Sequence, residues 1–238
     1  MLTRVLEPET LDHLAPDDPA AQRSRRDLRR VNAFMGARRI LERALARALP
    51  DRAGLRILEI GCGDGRLLLE VARRRGRRWP GARVDLLDRQ PIVDEATLAG
   101  YAASGWQART IVADVLDWAA AVGPHSERWD AVVANLFLHH FEGAPLGRLL
   151  AGCARRADAL VACEPRRSRF AFAASHLIFF LGANAVTRRD GVLSVRAGFV
   201  DRELSNAWPA SAATWRLDEY EDGAFTHVFC AVRRQGGP

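Results

Sequence analysis

The stretch Ile57-Leu58-Glu59-Ile60-Gly61-Cys62-Gly63-Asp64-Gly65 constrains the fold more than any other part of the chain. Ile57, Leu58 and Ile60 form a short apolar run, which predicts a buried strand. The run stops at three glycines in alternate positions, Gly61, Gly63 and Gly65. From Arg66 to Arg75 the apolar residues Leu67, Leu68, Val71 and Ala72 recur at helical spacing. Strand, glycine-rich turn and helix together open a nucleotide-binding α/β unit. The glycines let backbone amides approach a ligand, and the helix N-terminus adds partial positive charge. A dinucleotide fingerprint would read G-x-G-x-x-G; here Glu59 precedes the first glycine and Asp64 lies inside the turn. Two carboxylates in a phosphate cradle would repel a pyrophosphate. They suit a ligand carrying an ammonium and a sulfonium.

The later segments alternate in the same way. Val84–Asp88 predicts a second strand ending in an acid, followed by Arg89 and Gln90. In open parallel sheets ligands bind beyond the C-terminal strand ends, where Asp88 can bond ribose hydroxyls; capping a helix is its other use. Ile92 to Gly105 predicts a helix, and Gln107–Asp114 a third strand, again ending in an acid. Asp114 is placed to accept from an adenine amino group, with Val115 and Leu116 flanking the ring. Trp129–Leu136 predicts the fourth strand, running into Phe137-Leu138-His139-His140-Phe141, and Ala159–Pro165 the fifth. Two last strands, Thr214–Tyr220 and Phe225–Val232, meet at Asp222-Gly223, a hairpin signal.

Glu59-x-Gly61-x-Gly63-x-Gly65, Asp88, Asp114 and the WDAVVANLFLHHF segment resemble, in order, motifs I to IV of class I S-adenosylmethionine (SAM)-dependent methyltransferases. The resemblance covers about residues 50–165 plus 214–234. It implies an α/β, Rossmann-like, mostly parallel seven-stranded sheet with an antiparallel terminal hairpin and helices on both faces. An N-terminal helical cap and a helical insertion before the hairpin complete that architecture. The cofactor implied is SAM, with S-adenosylhomocysteine as product. Carried onto this chain, the binding set is Glu59, Gly61, Cys62, Gly63, Asp88, Arg89, Asp114 and Val115, with Asn135 and Leu136 meeting the methionyl part. His139 and His140 are expected to begin the helix after the fourth strand, near the methyl group. An imidazole there can take a proton from a phenol, His140 being the first choice; a hydrogen-bonded structural role is the competing use. The chemistry needs no metal.

Residues 1–50 are expected to form the cap, with an irregular lead-in over 1–20 and a helical pattern from Gln22 to Leu49 broken at Gly36. That pair is either a solvated amphipathic cover for the sheet or also a lid, with Asn32 and Phe34 facing a ligand. Residues 51–238 form the SAM-binding domain. Within it, 166–213 carries Phe170, Phe172 and His176, and reads either as a helix packed on the sheet or as a lid over an apolar acceptor. In the lid reading His176 is a further base candidate.

Net charge is +6 with a pI near 10.0, but all 35 basic residues are arginines and they are scattered along the chain. No nucleic-acid partner is therefore expected. Cys62, Cys153, Cys163 and Cys230 are isolated, giving neither a disulfide framework nor a zinc site. No apolar run approaches spanning length, so a cytoplasmic protein without membrane attachment is expected, as monomer or homodimer.

SRRDLRRVNAFMG, NLFLHHF, CEPRRSRFA and NAVTRRDGVLSVRAGF also resemble a bacterial subgroup of small-molecule methyltransferases. Its members are associated with polyketide or quinone-type secondary metabolism. The function expected is methylation of a small, largely apolar acceptor, foremost the oxygen of a phenolic or polyketide-type metabolite. Carbon methylation of a quinol-like ring and non-catalytic SAM binding are the alternatives. Asn135-Leu136-Phe137-Leu138 stands where an amino methyltransferase would carry an N-P-P-Y-type motif. The acids in the glycine turn disfavour a NAD-dependent oxidoreductase.

Overall fold

Ile57 to Ile60 lie fully buried at the centre of a seven-stranded sheet, because strand order places neighbours on both sides. The strands are β1 (Arg56–Ile60), β2 (Arg83–Asp88), β3 (Gln107–Val112), β4 (Ala131–Asn135), β5 (Ala159–Pro165), β6 (Trp215–Asp222) and β7 (Thr226–Arg233). Their order is β3-β2-β1-β4-β5-β7-β6; β1 to β5 pair in parallel, and β7 runs antiparallel between β5 and β6. This is the Rossmann-like arrangement with a terminal hairpin. The computed structural model describes residues 2–121, 127–210 and 213–234, the side chain of Phe179 excepted.

The alternation of side chains along each strand divides the core into two layers. Ile57, Val84, Leu86, Val133 and Val161 pack against α2 (Ala37–Ala48), α3 (Arg66–Arg75) and α4 (Glu95–Ala103). Leu58, Ile60, Leu87, Val132 and Leu160 pack against α5 (Val115–Ala120), α6 (Gly143–Arg156) and α9 (Glu203–Ala207). Ile40, Leu41, Ala44 and Leu45 of α2 recur at helical spacing and are all buried. Burying a leucine there contributes about 2 kcal/mol.

The cap begins earlier than its periodicity suggests. Asp18 accepts from the amides of Ala20 and Ala21, Pro19 takes the first helical position, and α1 runs Pro19–Met35. Gly36, in the left-handed conformation, ends α1 and starts α2, so the expected break is present. Within residues 166–213 lie α7 (Arg169–Ser175), α8 (Ala185–Ala197) and α9. His139 and His140 do not begin a helix: they occupy a 3-10 turn, Leu138–His140, before α6.

β1 and β4 are neighbours, while the chain continues outward to β2 and β3 on one side and to β5 on the other. At such a switch point the connections leave in opposite directions and open a crevice beyond the strand ends.

Candidate active site

The crevice is a cavity of about 660 Å³, within the size range of small-molecule sites. Its floor is the turn after β1. Gly61, Gly63 and Gly65 have φ of 62°, 55° and 68°, a region costly for side chains with a Cβ. A Cβ on Gly61 would also lie 2.1 Å from the Phe137 ring. The turn is held by the Cys62 amide donating to Leu87 O at 3.1 Å and the Gly63 amide donating to Asp88 Oδ2 at 2.9 Å. The Gln90 amide donates to the other Asp88 oxygen. Asp88 therefore braces the turn from the end of β2 rather than capping a helix.

Glu59 is 3% exposed, lines the cavity, and its Oε2 finds no hydrogen-bond partner among the described residues. Burial, and then the charges of Asp64 and Asp88, push its carboxyl up to about 8. A buried carboxyl without a partner is a costly feature for a fold to keep; a cationic group in the cavity would satisfy it.

The remaining sequence-predicted residues are mostly assembled here. Cys62, Arg89, Asp114, Val115, Asn135 and Leu136 all line the cavity with Glu59, Gly61, Gly63 and Asp88. Asp114 also caps α5, accepting from the Leu116 amide at 2.7 Å. Leu136 has a φ of 51°, its amide donating to Cys163 O, so the chain turns sharply off β4 along the cavity wall.

The three histidines separate. His140 lines the cavity, with Nδ1 3.3 Å from Asp12 Oδ2. His139 does not line it, and its candidacy as a base is corrected. It is 2% exposed, with Nδ1 2.8 Å from Glu164 and Nε2 3.3 Å from Glu9. Burial alone would lower its pKa, but Glu164 and Glu9 outweigh burial and raise it to about 9. Glu164 also accepts from the amides of Phe137, Leu138 and His139, so it is the post that holds this turn. His176 is likewise corrected: it is exposed, packs edge-on against Phe172, and does not line the cavity.

Among the described residues of 166–213 none lines the cavity, so of the two readings of that segment the structure places its described part off the cavity wall. The wall comes instead from the lead-in: Leu6, Pro8, Glu9, Leu11 and Asp12 cross the opening. Residues 185–197 act indirectly, by anchoring that strap. Asp190 accepts from the amides of Thr10 and Leu11 at 2.9 Å each, and Arg4 Nε donates to Ala197 O at 2.7 Å. The strap has no periodicity, and its proline and acids read as irregular chain; partners far downstream, Asp190 and Ala197 among them, fix its place. From α1, Asn32 lines the cavity and Arg29 pairs with Asp64 at 2.7 Å, whereas Phe34 is 66% exposed and packs on Phe225.

Residues 57–158, which contain every predicted cofactor residue, match the family described as a methyltransferase domain. The match covers the central part of the chain, from β1 to the start of β5. No curated protein matches the chain by sequence. Among solved structures, the pyocyanin biosynthetic protein PhzM is 18% identical, with a TM-score of 0.58 over 92% of this chain and 60% of that one. Mitomycin 7-O-methyltransferase MmcR is also 18% identical, with a TM-score of 0.59 over 94% and 60%. A protein from Rhodobacter sphaeroides titled a putative Zn-dependent alcohol dehydrogenase is 15% identical, with a TM-score of 0.52 over 83% and 90%. At these identities the likeness concerns the fold. The chain spans about three fifths of the length of PhzM and MmcR. Around the matched segment, this chain adds the cap before it and the terminal hairpin after it. No described helix is long and apolar enough to cross a membrane.

Proposed function

We propose that the cavity binds SAM and that the protein transfers its methyl group to the oxygen of a small, largely apolar, phenolic acceptor. The observation that carries this reading is the partnerless Glu59 carboxyl beneath a glycine turn flanked by Asp64 and Asp88. That floor is built for a cation. The bound cofactor would supply a methyl group already activated by a sulfonium. Asp88 and Asp114 sit at strand ends suited to ribose and adenine, and Leu136 and Phe137 exclude water beside them. The acceptor's proton leaves at the corner where His140 meets Asp12 and Glu9. Leu6, Leu11 and Phe141 make the neighbouring wall apolar. The partner in this reading is a small molecule in the cytoplasm, with neither nucleic acid nor membrane involved. PhzM and MmcR, by their titles, serve the biosynthesis of pyocyanin and the 7-O-methylation of mitomycin, which supports a natural-product acceptor.

Calorimetric titration with S-adenosylhomocysteine, with NAD as control, tests this directly. Micromolar binding of the first and none of the second is expected; binding of NAD alone would overturn the reading.

The titration also has a pH signature. In the free protein Glu59 keeps its proton below about 8, and a ligand ammonium favours the ionised form. Binding should therefore release a proton at pH 7, and affinity should rise with pH, by at most roughly tenfold per unit, levelling above pH 8. Stability of the free protein runs the other way. The folded value lies above the ordinary glutamate value of about 4.5, so stability falls as pH rises from about 4.5 to about 8. Glu59→Gln should flatten both curves, and calorimetry in buffers of different ionisation heat reads the proton.

Asp88→Ala should weaken S-adenosylhomocysteine binding by about 1–3 kcal/mol, since it unpartners the Gly63 amide as well as the ribose. Unchanged affinity would remove Asp88 from the site.

A further inference from the structure

At the corner of the cavity, Glu9, His139 and His140 each present one potential ligand atom, and these atoms lie within 4.8 Å of one another. We propose that they bind a divalent transition-metal ion through two imidazoles and one carboxylate, with an open position facing the cavity.

The distances around His139 favour this over a plain ion pair. Its Nδ1 meets Glu164 at 2.8 Å, the length of a charge-assisted hydrogen bond. Its Nε2 stands 3.3 Å from Glu9 Oε1, which is long for such a bond. Ligand bonds of about 2.1 Å at the tetrahedral angle put neighbouring ligand atoms about 3.4 Å apart. The Glu164 edge of the imidazole is thus the tighter hydrogen bond, and the spacing of the Glu9 edge is compatible with two ligands of one ion. The His140 ligand atom lies within 4.8 Å of the other two, and a side-chain rotation brings it to ligand spacing.

The surrounding groups are those a metal centre uses. A ligating histidine commonly gives its other nitrogen to a carboxylate, which fixes the ring and raises its basicity. Glu164 does this for His139, and it cannot swing inward because three backbone amides hold its oxygens. Asp12, 3.3 Å from His140 Nδ1, stands beside the second imidazole. The Ser194 hydroxyl donates to Glu9 Oε1, the oxygen that faces His139 Nε2, and fixes its position. Glu9 and His140 line the cavity whereas His139 lies behind them, so a free coordination position points at the space assigned to the acceptor. Two nitrogens and one oxygen suit zinc and its neighbours rather than magnesium or calcium.

The site itself stands without the proposed methyl transfer; its use rests on that reading. A cation there would take the acceptor's hydroxyl oxygen as a ligand and lower its pKa, releasing its proton to solvent and leaving an oxyanion to attack.

The test uses the whole chain, stripped with a chelator and titrated with Co²⁺ and Zn²⁺. One equivalent of Co²⁺ with visible ligand-field absorption is expected, displaced by Zn²⁺. His140→Ala and Glu9→Gln should each weaken binding at least 100-fold. X-ray absorption of the zinc-loaded wild type should show two imidazole nitrogens, a readout independent of how the variants fold. Absence of saturable binding, binding untouched by both substitutions, or a coordination shell without two imidazoles would overturn the proposal. Titration with S-adenosylhomocysteine on the same metal-loaded sample separates the two readings, because loss of cofactor binding there sinks methyl transfer and leaves the metal site standing.

Discussion

Gly61→Ala is expected to abolish cofactor binding, at least a 100-fold loss, while Gly63→Ala leaves measurable affinity. Both positions have positive φ, so an alanine at either costs about 1–2 kcal/mol of backbone strain. They differ in what the new methyl group meets. At Gly63 nothing lies within 4 Å, whereas at Gly61 it would fall 2.1 Å from Phe137 Cδ2 and 2.4 Å from Cγ. Contact so near the root of a ring is not relieved by a small rotation. Phe137 cannot retreat freely either. Its amide is bonded to Glu164, and its ring packs against Phe141 and His140, with centroids 5.3 and 6.1 Å away. The turn must therefore open, and the Cys62 and Gly63 amides leave the positions from which they frame the cavity. Titration of both variants with S-adenosylhomocysteine checks this. Equal losses would show that strain alone, and not the close approach of β1 and β4 turns, governs the site.

Substitution of the two adjacent histidines should give opposite phenotypes. His140→Ala is expected to cut methyl transfer to a phenolic acceptor roughly 10²–10⁴-fold with affinity for S-adenosylhomocysteine preserved. Its ring faces the cavity and supports no backbone of the glycine turn. His139→Ala should instead destabilise the fold by about 3–5 kcal/mol, because it strips the partner from buried Glu164 and Glu9. Thermal unfolding separates the two. An unstable His140 variant beside a stable His139 variant would reverse the assignment of the cavity-facing ring.

Much of the cavity floor was legible in the residues themselves. Glu59, Gly61, Gly63, Asp88 and Asp114 stand at the ends of strands whose apolar runs are unmistakable. A parallel sheet brings all such ends to one edge, and spacing along the chain was enough to gather them. Helix limits were less legible where capping decided them: α1 starts at Pro19 because Asp18 caps it, and α4 at Glu95 because Asp94 does. The histidine pair was visible, but not its division of labour, since adjacent residues in a 3-10 turn point in directions that no periodicity reports.

Which segment walls the cavity was not legible, for a physical reason. Phe170, Phe172 and His176 form an apolar segment, and apolar segments suggest a wall. In the structure they lie off the cavity wall, α8 beyond them anchors the lead-in, and that strap of little hydrophobic patterning lines the cavity. The strap is held by backbone amides on Asp190 and by Glu9 and Arg4, contacts between residues more than 100 positions apart. The sequence by itself determined the sheet, its glycine turn and the acids at its strand ends, because local hydrophobic period and glycine placement govern those. Only the tertiary structure decided which segment closes the cavity and which histidine faces it, because buried polar pairings have no local signature along the chain.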